Sequence, residues 1–211
     1  MTAKTMIIAV DGPTASGKGT IAKALAAHFG LPHLDTGLLY RAVGRQVQLR
    51  GGNPDSAADA LAACAFPDAL LADPELRSEA TGGLASRVSI HPEVRRALFA
   101  LQRAFATRPG GAVLDGRDID TVIAPEAPAK LFVTASVAAR AQRRFLEMRN
   151  AGREVSLADI AADLEARDAR DRDRVEAPLR AADDAVTLDT SDLGREAAIA
   201  AAIAIVAARR A

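Results

Sequence analysis

Short apolar runs alternate along the chain with longer stretches in which apolar residues recur at helical spacing. Five runs, each ending at or beside a polar residue, predict strands at 5–11, 32–35, 111–115, 130–135 and 185–189. The longer stretches predict helices at 18–29, 37–50, 92–107, 136–150, 157–174 and 195–210. This alternation is typical of the α/β class, so we expect a doubly wound, five-stranded parallel sheet flanked by helices.

Residues 51–90 follow neither period, because Gly, Pro and Asp interrupt the segment repeatedly. We interpret the segment as a partly helical insertion within a single domain that spans residues 1–211. Ligands of such folds bind beyond the carboxyl ends of the strands. Asp11, Asp35 and Asp115, with the Gly-Arg-Asp run that follows Asp115, are therefore candidate site residues by position.

The charge balance argues against a surface that binds polyanions generally. The 27 basic and 27 acidic residues cancel, so an anion site should be local. Only four of the basic residues are lysines, and the aromatic residues are six Phe and one Tyr without any Trp. Because so few side chains can stack on bases, we expect no nucleic-acid partner.

Neither end of the sequence carries an apolar stretch long enough for a signal peptide or a membrane span, so we expect a cytoplasmic protein without a membrane partner. Cys64 is the single cysteine, which excludes an intramolecular disulfide and a Cys-based metal site. The three scattered histidines are interpreted as structural or surface residues: His28, His33 and His91.

The strongest motif lies between the first predicted strand and the first predicted helix. It satisfies G-x-x-x-x-G-K and consists of Gly12, Pro13, Thr14, Ala15, Ser16, Gly17, Lys18, Gly19 and Thr20. Such a loop wraps its N–H groups around nucleotide phosphates, and its lysine reaches the β- and γ-phosphates. The motif predicts nucleotide binding. Its G-K-G-T ending resembles that of nucleoside monophosphate kinases, which hold Mg²⁺ largely through phosphates and water.

A GTPase or another regulatory NTPase is the main alternative from a different class. A GTPase needs a guanine-reading N-K-x-D motif, and none of the four lysines lies in one. The D-x-x-G switch is also missing, since Asp115 is followed by Gly, Arg and Asp. The sequence therefore favours a kinase.

A kinase needs several arginines around its phosphates, because phosphoryl transfer is mainly positioning and charge neutralisation. The candidates are Thr36, Tyr40 and Arg41 after the second strand, Arg117 and Asp118 after the third, and Arg140 and Arg144, one helical turn apart.

The run RDARDRDR, residues 167–174, supplies a further cluster of charge. On a helix, one face would carry Arg167, Arg170, Asp171 and Arg174. An aspartate flanked by arginines stays ionised and can accept a hydrogen bond from a sugar hydroxyl, so we assign this face to the site. The remaining charged residues of the run are expected to face solvent: Asp168, Arg172 and Asp173.

Five segments resemble the bacterial cytidylate kinases, in the same order and at similar spacing. They are DGPTASGKGT, LDTGLLYR, LDGRDIDTVIAPEAPAKLFVTAS, RAQRR and RDARDRDRVEAPL. The resemblance covers most of the chain and weakens over residues 51–75. It implies a P-loop fold of the nucleoside-monophosphate-kinase type, with an NMP-binding insertion at 51–90 and a short lid at 145–157.

The resemblance also implies an activity, which is transfer of a phosphoryl group from ATP to CMP or dCMP with Mg²⁺ as cofactor. In that family the positions at the cytosine match Ser86, Arg95 and Asp118, and those at the pentose match Arg167 and Asp171. Positions around the acceptor phosphate match Arg41, Arg117 and Arg174, and we assign Thr36 and Tyr40 to the same acceptor site. The implied catalytic residues are Lys18, Arg117, Arg140 and Arg144.

Arg140 and Arg144 match arginines of the helix that leads into the lid. Closure of the lid would carry Arg149 or Arg153 toward the ATP phosphates and exclude water. No general base from the protein is needed, because the acceptor phosphate is already an anion at neutral pH.

The chain departs from the family at the insertion, which is usually longer and rich in strands. The insertion supplies part of the nucleobase pocket, so the sequence leaves the preference among CMP, dCMP and UMP open. The alternative function is that of another small P-loop kinase, such as a UMP/CMP or small-metabolite kinase. We expect a monomer.

Overall fold

A computed structural model describes residues 5–209. Its centre is a five-stranded parallel sheet in the order β2-β3-β1-β4-β5. The strands are β1 (Met6–Asp11), β2 (His33–Asp35), β3 (Gly111–Gly116), β4 (Ala129–Thr134) and β5 (Val186–Asp189). Each strand begins and ends within one residue of its predicted bounds, so the expected fold class is confirmed.

The central strand β1 is buried on both faces, as is usual for a parallel sheet between helices. Ile7, Ile8, Ala9 and Val10 are at most 4% exposed. In the register of the sheet, Asp11 pairs with Gly116 of β3 on one side and with Phe132 of β4 on the other. The polar residues that follow β1 and β3 therefore emerge at the same edge.

Residues 5–209 form eight α-helices, and those that were predicted begin and end close to their predicted positions. The eight are α1 (Lys18–Phe29), α2 (Thr36–Leu49), α3 (Ala57–Ala62), α4 (Glu79–Val88), α5 (Pro92–Ala106), α6 (Val137–Asn150), α7 (Leu157–Arg172) and α8 (Arg195–Ala208). The six predicted helices agree within two residues at each end, and α3 and α4 were not predicted individually. The predicted last residue of α8, at position 210, lies outside the described residues.

Serine side chains fix several helix starts by accepting a hydrogen bond from a backbone N–H of the first turn. Ser78 caps α4 in this way, Ser136 caps α6, and Ser156 caps α7. Helices α1 and α8 cover one face of the sheet, where Leu25 and Ala202 belong to the same apolar core as the strands. No helix among residues 5–209 is both long and apolar enough to cross a membrane.

The chain forms two compact units. The first contains the described residues up to Leu34 and from Ala106 onward, and the second is Asp35–Phe105. The second unit is helical, with α2 to α5 and two 3₁₀ turns, Asp68–Ala72 and Pro74–Arg77. It thus extends beyond the predicted insertion at both ends. Within it, α2 packs closely on α4, since a Cβ on Gly44 would lie 2.7 Å from Leu84 Cβ.

The region expected to form a lid joins α6 to α7 in the first unit. Residues 145–150 are the last turns of α6, and residues 151–156 connect the two helices. The helices pack through an apolar cluster that includes Ala141, Ile160 and Leu164.

Candidate functional site

The phosphate loop, residues 12–20, leaves β1 and enters α1 as the motif predicts. Two of its glycines are required by the geometry. Gly12 has a φ of 149°, and a Cβ there would lie 2.0 Å from the carbonyl oxygen of Val133 in β4. Gly17 precedes α1 in the left-handed conformation, with a φ of 88°. The loop therefore packs against the sheet edge with no room for a side chain at its first residue.

The side chains of Lys18 and Ser16 both lie close to the phosphate loop. Lys18 Nζ donates to the carbonyl oxygen of Pro13 at 3.3 Å, so the ammonium group folds back over the loop. Ser16 is fully buried, and its Oγ has no hydrogen-bond partner among residues 5–209. The carbonyl oxygen of Ser16 lies within hydrogen-bond distance of Thr190 Oγ1, at 3.1 Å, in the segment after β5. The loop is thus anchored to the carboxyl end of a second strand.

Arg117, which follows β3, joins the phosphate loop to α7. Its Nη2 donates to Thr14 Oγ1 at 2.6 Å, and its Nε donates to Asp171 Oδ2 at 2.8 Å. Burial disfavours the charged guanidinium, but Asp171, Asp115 and Asp11 outweigh that effect and raise the pKa of Arg117. The side chain therefore holds a permanent positive charge beside the loop.

The predicted face of α7 lies partly in this site. Asp171 is 7% exposed, and burial opposes its ionisation, but Arg117, Arg174 and Lys18 together lower its pKa. Arg174 lies two residues beyond the end of α7, with its Nη1 3.9 Å from Asp171 Oδ1 and its Nη2 donating to the Ala177 carbonyl. Burial is the largest influence on Arg167 and lowers its pKa. Arg170, assigned to the same face, is exposed instead.

The position of Asp168 differs from the expectation, based on the sequence, that this residue faces solvent. It does not face solvent, because its carboxylate accepts hydrogen bonds from Arg140 Nη2 at 2.5 Å and from Arg140 Nη1 at 3.1 Å. The reason is tertiary: α6 packs on α7 and brings a buried arginine, 3% exposed, over Asp168. Arg172 and Asp173 do face solvent, with side chains 68% and 73% exposed, as predicted.

Arg140 also contacts the phosphate loop. Its Nη1 donates to the Thr14 carbonyl at 3.1 Å and its Nε donates to the Ala135 carbonyl at 2.9 Å. Arg144, one turn further along α6, is less buried and pairs with Glu147 Oε2 at 2.6 Å. The two arginines that the sequence groups together are therefore held differently, and it is Arg140 that reaches the loop.

Two carboxylates, those of Asp115 and Asp118, lie at the carboxyl end of β3 or just beyond it. Asp115 is 3% exposed, and its Oδ1 lies 2.7 Å from His33 Nε2. Its Oδ2 would be 3.7 Å from a Cβ on Gly19, at the start of α1. Asp118 is 5% exposed and immediately precedes a short π-helical turn, Ile119–Ile123. Asp115 therefore lies at the phosphate loop.

The remaining predicted acceptor residues lie in the second unit. Arg95 places its guanidinium carbon 5.7 Å from the centre of the Tyr40 ring, a cation–π contact. Arg41 Nη1 donates to the carbonyl oxygens of Leu76 at 2.7 Å and Ser78 at 2.9 Å. Arg41 thereby ties α2 to the start of α4.

Two further predicted residues of this unit differ in their surroundings. Ser86 lies in α4, and its Oγ is buried with no hydrogen-bond partner in the described part of the chain. Thr36 is the first residue of α2 and is 3% exposed. Among the predicted acceptor residues of this unit, Tyr40 and Arg95 are in contact with each other.

Sequence reasoning missed Arg143 and Thr190. Arg143 lies inside the run RAQRR, but it points to the segment after β5, where its Nη2 donates to the Thr190 carbonyl and its Nη1 donates to Thr190 Oγ1 at 3.1 Å. The sequence could have indicated Arg143 by its position three residues after Arg140, because residues at this spacing are neighbours on a helix surface. Thr190 carries no motif and is identified only by its contacts.

Comparison with known proteins places these features in a family. The model of the family described as cytidylate kinase matches residues 8–208. The cytidylate kinase of Xanthobacter autotrophicus is 58% identical over 207 residues, covering 98% of this chain and 99% of that protein. The cytidylate kinase of Methylocella silvestris is 56% identical, covering 95% of this chain and 94% of that protein.

Solved structures share the fold. An uncharacterised protein from Eubacterium ventriosum is 18% identical with a TM-score of 0.56, covering 97% of this chain and 99% of its own. A protein from Thermus thermophilus is 25% identical with a TM-score of 0.50, covering 99% of this chain and 100% of its own.

Proposed function

Because the chain belongs to the cytidylate kinase family, we infer that it is a nucleoside monophosphate kinase that transfers the γ-phosphoryl group of ATP directly to CMP and dCMP. The reaction yields ADP with CDP or dCDP. The alternative, another small P-loop kinase, is not favoured by relatives that carry the cytidylate kinase name over nearly the full chain.

The observation that carries this proposal is the bridge made by Arg117. One guanidinium contacts the phosphate loop at Thr14 and, on its other side, Asp171 of the Arg/Asp-rich helix. In a phosphoryl transfer the charge is spread over the transferred group, and arginines next to it stabilise that charge. We propose that Arg117 acts at the acceptor phosphate and the transferred group.

We assign ATP binding to residues 12–20, which comprise the loop before α1 and the first three residues of that helix. Lys18, now folded onto the Pro13 carbonyl, is proposed to turn to the β- and γ-phosphates of ATP. Arg140 and Arg144 are proposed as further catalytic residues. The contacts of Arg140 with Thr14 and Asp168 support a role in holding the loop in shape.

The acceptor nucleotide is proposed to use three groups of side chains. The cytosine would be bound by Ser86, Arg95 and Asp118, and the pentose by Arg167 and Asp171. The acceptor phosphate would be bound by Thr36, Tyr40, Arg41, Arg117 and Arg174. The chemistry is suitable, because a carboxylate accepts from the exocyclic amine of cytosine and an arginine donates to its O2 and N3.

The residues at the start of α1 fit a Mg²⁺ ion that arrives with ATP. Asp115 offers a carboxylate beside Gly19, and its orientation is fixed by His33. Thr20, the residue after Gly19, offers a hydroxyl. Mg²⁺ keeps most of its waters and prefers such oxygen ligands, so these two residues would hold it largely through water. When bound, the ion would neutralise charge on the phosphates.

Closure over ATP is assigned to the connection between α6 and α7. Arg149, with its guanidinium carbon 5.6 Å from the centre of the Phe145 ring, and Arg153, which is exposed, are the candidates to meet the ATP phosphates. We further propose a cytoplasmic monomer that has no nucleic-acid or membrane partner.

An ADP-release assay with Mg-ATP tests the function. The acceptors are CMP, dCMP, UMP, AMP and GMP, with a reaction lacking any acceptor as the control. Release driven by CMP and dCMP is expected. Release without an acceptor, or with none of the five nucleotides, would contradict the proposal.

A further inference from the structure

Asp11, the last residue of β1, is fully buried and holds the turn that follows Asp118. Its Oδ1 accepts from the backbone N–H of Ile119 at 3.1 Å, and its Oδ2 accepts from the backbone N–H of Asp120 at 2.8 Å. These two N–H groups open the π-helical turn Ile119–Ile123, which has no side-chain cap of its own. The carboxylate of Asp11 takes the place of that cap from a neighbouring strand.

Asp120 brings a second carboxyl group to the same place. It is 1% exposed, and because its backbone N–H donates to Asp11 Oδ2, its carboxyl group lies next to that of Asp11. Its Oδ2 accepts from the backbone N–H of Ala182 at 3.2 Å, in the segment that follows α7. Its Oδ1 is buried and meets no donor among the described residues. The two carboxyls thus connect β1, the turn after β3 and the segment before β5.

Two carboxyl groups in contact inside a protein cannot both be ionised, because like charges at this distance repel strongly. Burial raises the pKa of Asp11 and that of Asp120, and the nearby charge of Asp118 raises both further. The positive charge of Lys130 lowers the pKa of Asp120 and so opposes this effect. Arg117 lies close enough to Asp11 for their charges to interact. One proton shared by the pair satisfies the geometry, since it supplies the donor that the contact between two carboxyl groups needs.

We propose that Asp11 and Asp120 act together as positioning residues for the acceptor nucleotide, because their joined carboxyl groups fix the turn that presents Arg117 and Asp118. This inference rests on the proposed function, in which those two residues meet CMP. Neither member of the pair touches substrate; both act through the backbone that follows Asp118. Loss of the shared proton as the pH rises sets two ionised carboxyl groups against each other, and their repulsion loosens the turn.

Two variants of Asp120 separate positioning from simple stability. Asp120→Asn keeps an N–H donor for Asp11 at every pH, whereas Asp120→Ala removes the link. We expect Asp120→Ala to raise the KM for CMP roughly tenfold, as loss of one buried hydrogen bond implies, with the KM for ATP almost unchanged. Asp120→Asn should have the KM that the wild type shows at the acid end of the pH range in which it stays folded. Asp183→Asn, at an exposed position on the same segment as Ala182, is the matched control and should leave both KM values unchanged.

The second readout is the pH dependence of the KM for CMP over the whole range of pH in which the wild-type protein stays folded. The wild-type KM should rise with pH, and that of Asp120→Asn should not. Because Asp120→Asn preserves the packing, this comparison does not depend on whether Asp120→Ala folds. Equal pH profiles for wild type and Asp120→Asn, or a folded Asp120→Ala with the wild-type KM, would overturn the proposal.

The experiments distinguish an error in this inference from an error in the proposed function. If the wild-type protein does not release ADP in response to CMP, the function is wrong. If it does so and the Asp120 variants lower only the melting temperature, the function stands and the positioning role is wrong.

Discussion

Arg140 and Asp168 form a two-pronged ion pair, with 2.5 Å between Nη2 and Oδ2 and 3.1 Å between Nη1 and Oδ1. The arginine is 3% exposed and the aspartate side chain 17% exposed. The same guanidinium donates to the Thr14 carbonyl, so the pair joins α7, α6 and the phosphate loop. The shape of that loop therefore depends on a carboxylate that lies 28 residues from its arginine partner.

Asp168→Ala should destabilise the protein, because it leaves a buried arginine without its carboxylate. We expect the free energy of unfolding to fall by about 3 kcal/mol, and turnover to fall with CMP and dCMP alike. Denaturant unfolding and steady-state kinetics measure the two effects. Asp173→Ala, which changes an exposed aspartate just past α7, is the control and should alter neither. Equal stability of the two variants would show that the ion pair contributes nothing.

Asp171→Ala should act mainly on the acceptor. The substitution removes the carboxylate that holds Arg117 through Nε and that we assign to the pentose of CMP. Loss of a hydrogen bond to a charged group corresponds to roughly a 10- to 100-fold rise in the KM for CMP, and CMP and dCMP can be affected unequally because they differ at the pentose. Saturation curves for both acceptors at constant ATP measure this. The same substitution at Asp173 is the control, and equal effects at the two positions would contradict the assignment.

The loss of folding stability at acid pH should also depend on Asp171. Burial favours its neutral form, but Arg117 and Arg174 lower its pKa below the ordinary value of about 3.9. Such a group stabilises the fold above the unfolded-state pKa, and the stabilisation is lost as the pH falls through the folded-state pKa.

We therefore expect the melting temperature of Asp171→Asn to fall less steeply than that of the wild type between pH 5 and about pH 2. Thermal unfolding followed by circular dichroism measures the slopes. Asp163→Asn, at an exposed position on the same helix, should keep the wild-type slope. If all three proteins show one slope, the ion pairs of Asp171 do not stabilise the fold.

Local patterns were sufficient for the sheet and for the phosphate loop. β1 and α1 were predicted because an apolar run, a glycine-rich loop and a helical period follow one another directly. The second unit was harder, because α4 contains Gly82 and Gly83, which have low helix propensity. It is stabilised by the Ser78 cap and by its packing against α2, where Gly44 meets Leu84.

The contacts that organise the site were not predictable from local spacing. Asp168 was assigned to solvent from its position on a single helix, and only the packing of α6 on α7 shows the ion pair. Asp11 was a candidate by position, but its role needs Asp120, which lies 109 residues away in sequence. Spacing places residues on one element, whereas these contacts depend on which elements become neighbours.

Lys18→Ala should lower turnover with either acceptor, because the ammonium group is assigned to the ATP phosphates rather than to CMP. We expect kcat to fall by a factor on the order of 100 or more, as for other groups that stabilise charge in the transition state. Initial rates at saturating ATP and CMP measure this. Lys23→Ala, a lysine on the exposed side of the same helix, is the matched control. Normal turnover of Lys18→Ala would refute its assigned role.

Two glycine substitutions should change stability in opposite directions. A Cβ on Gly12 would lie 2.0 Å from the Val133 carbonyl oxygen, at a φ of 149° that L residues rarely adopt. Gly12→Ala should therefore displace the phosphate loop, destabilise the protein by about 3 kcal/mol or more, and remove ATP binding.

A Cβ on Gly83, inside α4, would meet nothing within 4 Å. Gly83→Ala should raise the free energy of unfolding by about 0.5–1 kcal/mol, since alanine is the better helix former. Denaturant unfolding compares the two variants directly, and ATP binding by titration separates local damage at the loop from general instability. A Gly12→Ala protein that binds ATP normally would mean that the loop can move away from β4 without losing its function.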